Sequence, residues 1–205
     1  MPTDLSALLD PTHAAVVTSE CQNGVLGPQS YLPELAAAAQ EHAVPGVVRL
    51  VHGARRAGVQ VVHCVFWRRA DNKGANTNGR LFAMANKVAP AMEPGSEAAL
   101  PLPEVGLAPD DLVLGRYHGV DPFSGTDLDV VLRNLGIRTV VIAGVSVNVA
   151  LLGLTIGLVN HGYQVVVPRD AVAGVPVEYA ESVIDNTYAL LGTATTVDEV
   201  VAQWP

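Results

Sequence analysis

Three apolar runs end at Glu20, Arg116 and the turn before Ala150, and the residues around those ends are the ones whose types could do chemistry. The first segment is Thr18-Ser-Glu20-Cys-Gln22-Asn23, where an ionisable carboxyl follows an apolar strand-like run. A carboxylate there is costly unless a cation or a substrate uses it; a glutamate that merely surfaces with the strand gives the same pattern. The second segment is Arg116-Tyr-His118-Gly-Val-Asp121-Pro-Phe123-Ser-Gly-Thr126. Arg116 can grip a carboxylate through two parallel N–H donors, and His118 can carry a proton. An exposed loop cation and a structural histidine are the plainer readings of that pair. The third segment, Gly144-Val145-Ser146-Val-Asn-Val149-Ala150, is a tight turn opening a helix. Amides at a helix start lack partners, and the helix dipole favours an anion beside them. Together these groups would put a carboxyl, positive charge and amide donors from Val147 to Ala150 at one place, which makes an oxyanion or substrate-carboxylate site possible. His118 is a reserve proton carrier. Gln22, Trp67, Phe123, Val145, Ser146, Val149 and Ala150 are the candidates for contact with a substrate.

Bringing three such ends together requires parallel strands. The apolar runs His13–Glu20, Val59–Phe66, Leu112–Arg116, Thr139–Ala143 and Gln164–Val167 read as strands, with a last short one at Thr193–Val197. Helical patterns lie between them. One runs from Glu34 to Ala57 with a break at Pro45, one from Thr126 to Leu135 with Thr126 as cap and Gly136 as stop, and one from Val149 to Asn160. Another covers Val177–Leu191, and Asp198 is the expected cap of a terminal helix. Residues 81–109 read as short helix and Pro-rich connection, and Arg68–Arg80 as a long polar loop that shapes a pocket mouth with Trp67. Trp67 as core or interface filler is the alternative. Strands alternating with helices predict one α/β domain over residues 1–205, a three-layer α/β/α arrangement with a mainly parallel sheet of about six strands. All the strand ends then meet at one edge.

Composition limits what such a domain does. Hydrophobic residues make up 49% of 205 and charged residues 16%, enough apolar material for a full core. Twelve Lys and Arg against 20 Asp and Glu leave a net charge of −8 with no basic run, which argues against nucleic acid or an anionic membrane as partner. The stretch 139–160 carries no charge, but Gly144, Ser146 and Asn148 interrupt it and its first half is β-branched, so a buried strand and helix are expected rather than a membrane span. Met1-Pro-Thr-Asp-Leu has neither the basic start nor the apolar core of a secretory signal. Cys21 and Cys64 lack metal or redox spacing and read as buried reduced thiols, which fits a cytoplasmic protein. Asp170 reads as a structural hydrogen-bonding group. Gly153 and Gly157, four apart on an all-apolar helix, let another element approach closely, and a homo-oligomer, dimer or tetramer, is expected.

Several of these motifs resemble the isochorismatase-like, or cysteine hydrolase, superfamily. Glu20-Cys21-Gln22 stands where its members have aspartate, one residue, glutamine. Arg116 precedes Asp121-Pro-Phe123-Ser-Gly-Thr126, similar to the family's lysine ahead of an aromatic, glycine, threonine motif, with Tyr117 in the strictly counted lysine position. Gly144-Val-Ser-Val-Asn-Val-Ala150 resembles the turn leading to the nucleophile, often with a cis peptide just ahead. Gly162-Tyr-Gln-Val-Val-Val-Pro-Arg-Asp170-Ala171 matches a downstream signature, so the likeness covers about residues 13–200. It implies the family's Rossmann-like fold and a hydrolase acting on a small molecule. The family's cysteine position holds Ala150, which cannot be a nucleophile. Cys21, facing away from Glu20, and Ser146, without an evident base, are poor substitutes. The family's nicotinamidase branch binds a metal through histidines after the second strand; no histidine lies between Cys64 and Tyr117, so no metal and no cofactor is expected. Isochorismatases proper cleave a vinyl ether by protonation and keep a small residue at the cysteine position. The resemblance therefore implies a hydrolase of a small carboxylate-bearing molecule working by general-acid catalysis, with Glu20 as the acid, Arg116 as the anion clamp and the turn at Val147 to Ala150 as amide donor. The alternative is a non-catalytic relative that binds a small molecule or forms an oligomer.

Overall fold

The computed structural model describes residues 4–204, so most of the amino-terminal signal reading, residues 1–3, lies outside the described residues. Seven strands form one sheet: β1 (Ala14–Ser19), β2 (Gln60–Phe66), β3 (Leu112–Arg116), β4 (Thr139–Val145), β5 (Gln164–Pro168), β6 (Val172–Ala173) and β7 (Thr193–Thr195). The order is β3-β2-β1-β4-β5-β7, with β6 paired to β4, and every pairing is parallel. The chain thus builds outward from β1 on one side and from β4 on the other. The crevice between their carboxyl ends is a topological switch point, where such sheets place ligands.

Alternation along β1 splits the core into two layers. Ala14 and Val16 pack with the helices Pro33–His42, Val44–Arg56 and Val197–Val201; Ala15 and Val17 pack with Leu128–Asn134, Ala150–Asn160 and Val177–Val183. Pro45 divides the first helical stretch as expected and sits in the first turn of its second helix, where its missing N–H is harmless. Among the described residues no helix is long and apolar enough to cross a membrane.

Four local expectations need correction. The terminal helix is capped by Thr196, not Asp198. The Thr196 hydroxyl accepts from the Glu199 amide while the Glu199 carboxylate accepts from the Thr196 amide, and this reciprocal box puts Asp198 inside the first turn, where it pairs with Arg49 at 3.7 Å. The helix after Thr126 begins at Leu128 with Asp127 at the cap position, although the Thr126 hydroxyl still accepts from the Leu128 amide at 3.2 Å. The helix expected over Val177–Leu191 holds a π turn at Ile184–Tyr188, and the buried Tyr188 hydroxyl donates to the Val147 carbonyl beneath the switch-point turn. Gly153 and Gly157 do admit a close neighbour, but it is a loop of this chain. A Cβ on Gly153 would lie 2.6 Å from Asp121 Cβ, and one on Gly157 would lie 2.6 Å from the Phe123 ring.

A buried polar chain on the first core layer ties β1 and β2 to the residue just before β3 and to the helix Val44–Arg56. Thr18 Oγ1 lies 2.9 Å from His63 Nδ1, and His63 Nε2 lies 3.3 Å from Asp111, which Arg55 grips at 2.6 Å. Burial holds the His63 ring below its ordinary pKa, against the pull of Asp111. A neutral folded histidine refuses a proton that the unfolded chain takes up below about pH 6.5, so stability falls as pH drops through that value, by at most about 1.4 kcal/mol per unit. The thermal midpoint should therefore decline from pH 7.5 to 5.5 in the wild type and decline less in His63→Gln. Parallel declines would rule His63 out as the cause.

Candidate active site

Register sets the distance that the site must bridge. Ser19 pairs with Cys64, and Cys64 pairs with Leu114, so Glu20 and Arg116 leave the same sheet edge two strands apart, about 10 Å in backbone terms. The long Arg116 side chain crosses β2, its guanidinium 5.5 Å from the centre of the Phe66 ring, and its Nη2 donates to Glu20 Oε1. A second, longer bond from Nη2 reaches the Val120 carbonyl at 3.4 Å. Arg116 Nε and Nη1 are buried without a partner. Both side chains are sheltered, at 3% and 16% exposure. Glu20 itself adopts φ +55° as the chain leaves β1, a left-handed backbone that a glutamate rarely takes and that clusters at functional sites. Its amide donates to the Cys64 carbonyl at 2.9 Å, which holds that turn in place.

The neighbouring turn is equally constrained. At the end of β4, Gly144 has φ +101°, and a Cβ there would lie 2.3 Å from the Ser19 carbonyl oxygen, so only glycine lets β4 end beside β1. The peptide bond Val145–Ser146 that follows is cis. The Val147 amide donates to Ala173 and the Val149 amide to Ser146, at 2.9 and 3.2 Å. The amides of Asn148 and Ala150 find no backbone acceptor among the described residues. The anion-donor capacity expected of this helix start is thus confined to those two groups.

Glu20, Arg116 and the turn share a cavity of about 200 Å³. Ser146, Asn148, Val149 and Ala150 line it on the turn side. Opposite stand Tyr31, Arg68 and Asn86, none of which the sequence singled out as site residues, with apolar walls from Leu35, Phe66 and Phe82. Burial, and after it the Glu20 charge, push the Tyr31 phenol well above its ordinary pKa, so it stays a neutral donor. Among the described residues no three His, Cys, Asp or Glu side chains converge as a metal site would require.

Residues 14–199 match the family described as the isochorismatase domain. The chain belongs to the isochorismatase family. An uncharacterized isochorismatase family protein of Bacillus subtilis is 31% identical over 103 residues, 50% of this chain and 53% of that protein, so the match spans about half the length of that relative. An isochorismatase family protein from Burkholderia thailandensis superposes with a TM-score of 0.77 at 26% identity, covering 96% of this chain and 97% of its own. The N-carbamoylsarcosine amidase of Thermoplasma acidophilum shares the fold, with a TM-score of 0.72 at 21% identity over 91% of this chain and 97% of its own.

Against the family pattern the geometry resolves which residue meets the strand-end carboxylate. Arg116 reaches Glu20, whereas Tyr117 turns out to stack on Trp67 with ring centres 5.6 Å apart. Other expected contacts lie elsewhere. Trp67 packs over Gly115, where a Cβ would lie 2.2 Å from its ring, and does not line the cavity. Phe123 packs on Gly157 and edge-on to His161, 4.8 Å between ring centres. His118 is exposed beside Gly125 and does not line the cavity. Val145 is buried in the core. Gln22 is fully buried and structural: its side-chain amide donates to the Phe66 and Ala99 carbonyls at 3.0 and 2.9 Å and accepts from the Phe66 amide at 2.7 Å. Strand-end position put these residues near the edge, but side-chain direction and long-range partners decided where they point. Cys21 and Cys64 are buried with thiols pushed up to about 12 by desolvation. Asp170 is structural, accepting from Arg49 and from the Val197 amide at 3.0 and 2.8 Å.

Proposed function

We propose that the protein is a hydrolase of a small carboxylate-bearing molecule that works by proton transfer at Glu20, without a covalent enzyme intermediate. One observation carries this reading: at the switch point, Arg116 holds one oxygen of Glu20, while Glu20 lines a cavity with Ala150. A methyl group at the family's nucleophile position leaves the space to substrate and water. Arg116 positions the carboxyl, and Oε2 is the atom that exchanges the proton. For a vinyl ether, Glu20 protonates the terminal carbon of the double bond, and the oxocarbenium carbon accepts a water molecule. The water's proton returns to Glu20, and the hemiketal splits into a ketone and an alcohol. The amides of Asn148 and Ala150, which have no backbone acceptor among the described residues, are free to donate to a substrate carboxylate or hydroxyl oxygen.

A non-catalytic binding protein is the second reading, supported by the mutual neutralisation of Glu20 and Arg116 and by Ala150 itself. Turnover of a 2-alkoxyacrylate, a vinyl ether with a single carboxylate, separates the two. Glu20→Gln should lower turnover at least about 100-fold while the protein stays folded and binds substrate within a few-fold of wild type. Binding without turnover in the wild type would favour the second reading.

A further inference from the structure

Arg68 is a buried cation without a carboxylate. It is 4% exposed, and among the described residues it makes no ion pair. Its one side-chain hydrogen bond runs from Nη2 to Asn86 Oδ1 at 2.9 Å, and its Nε and Nη1 have no protein partner among the described residues. The position is held from behind. Arg68 exchanges two backbone hydrogen bonds with Met92 at 3.0 and 2.8 Å, and Asn86 Nδ2 donates to the Asn76 carbonyl at 3.2 Å. Asn76 Oδ1 in turn accepts from the Gly119 amide at 2.8 Å. A guanidinium fixed this firmly, sheltered and without a carboxylate, is expensive for folding alone. It faces the cavity that Glu20 and Arg116 share.

The cavity's charges give the sign of what it takes. Arg116 is matched by Glu20, and Tyr31 is neutral, so Arg68 leaves one net positive charge among the lining residues. Its walls are otherwise mostly apolar, with Leu32, Leu35, Phe66, Leu81, Phe82 and Val175 facing the space. At about 200 Å³ it is smaller than the sites that hold drug-sized ligands. A second ligand charge would meet hydrocarbon with no counter-ion.

We propose that Arg68 is the anion anchor of the cavity and that the molecule it selects is a small apolar monoanion, a monocarboxylate with a compact hydrocarbon body. This rests on the cavity being the ligand site but not on Glu20 catalysis. It assigns the carboxylate-gripping role, expected of Arg116 from the sequence, to a residue two positions past the end of β2. Arg116 is left to hold Glu20.

Calorimetric titration of the full chain with benzoate, its neutral isostere benzamide and the dianion phthalate tests the assignment. Wild type should bind benzoate at least about tenfold more tightly than either other probe, the scale of one charge-assisted hydrogen-bonded contact. Arg68→Met should abolish that preference by weakening benzoate and leaving benzamide within about threefold. Glu20→Gln, which frees the Arg116 charge, should widen the benzoate-over-benzamide preference rather than remove it. Equal binding of benzoate and benzamide to wild type would overturn the anchor while leaving the cavity as a ligand site, and tightest binding of phthalate would overturn the monoanion. Binding of none of the three would overturn the anchor and the cavity's role together. The wild-type comparison decides even if Arg68→Met does not fold.

Discussion

Arg116→Met should lower the thermal midpoint by roughly 10 °C, and adding Glu20→Gln should restore a large part of that loss. Removing the guanidinium strands a sheltered carboxylate at the sheet edge, and breaking a buried pair from one side costs about 3 kcal/mol or more. In a chain of this size each kcal/mol moves the midpoint by about 2–4 °C. The double variant removes the stranded charge as well, so the two changes are strongly non-additive. The surface pair Arg69–Asp71, at 50% and 41% exposure, provides the contrast. Breaking it should change stability by less than about 1 kcal/mol. Differential scanning calorimetry of the two single variants and the double variant measures the coupling. If the double variant is as unstable as the sum of the singles, Glu20 and Arg116 do not act as a pair, and the positioning role given to Arg116 falls with it.

The same pair shows what a one-dimensional reading can and cannot reach. Glu20 and Arg116 were legible because each is a charge at the end of an apolar run, and the parallel order of β1, β2 and β3 brings such ends together. The long strands were legible for the same reason: β-branched residues repeat through β1, β2, β4 and β5 and are bounded by polar turns. The two-residue β6 was not, because Val172–Ala173 is too short to show a period of two and exists only through its pairing with the end of β4. Arg68 was missed for a different reason. It opens a polar stretch with Arg69, Asp71 and Lys73, where charge is normally solvated. What buries it is the helix Arg80–Val88, which supplies Asn86, and the backbone exchange with Met92. Tyr31 and Leu35 were missed likewise, since they precede or enter a helix whose visible pattern concerned only its core face. Gln22 lay in a recognisable motif, yet its partners at Phe66 and Ala99 are 44 and 77 residues away. The motif marked the place correctly without stating whether the side chain faces ligand or frame.

Ala150→Cys should create the chain's only fast-reacting thiol. Alanine there opens an eleven-residue helix, lines the cavity and leaves its own amide without a backbone acceptor among the described residues. A cysteine at such a helix start has its thiolate favoured by the dipole and by nearby cations, and its pKa falls to or below the ordinary value of about 8.5. The native thiols are the opposite case, buried and pushed up to about 12. At pH 8 a thiol of that kind is thiolate in about one molecule in ten thousand, while the new one is substantially ionised, so alkylation by iodoacetamide should be about a thousandfold faster in the variant than in wild type. Mass spectrometry of the folded protein should find one added group, on residue 150, and benzoate should slow its addition by occupying the same cavity. The Glu20–Arg116 pair limits the gain, because the carboxylate offsets the nearest cation. Ala150→Cys combined with Glu20→Gln should therefore react faster than Ala150→Cys alone. Labelling no faster than wild type would mean that the position is closed to solvent-borne molecules, and the cavity could not then admit a substrate to Glu20.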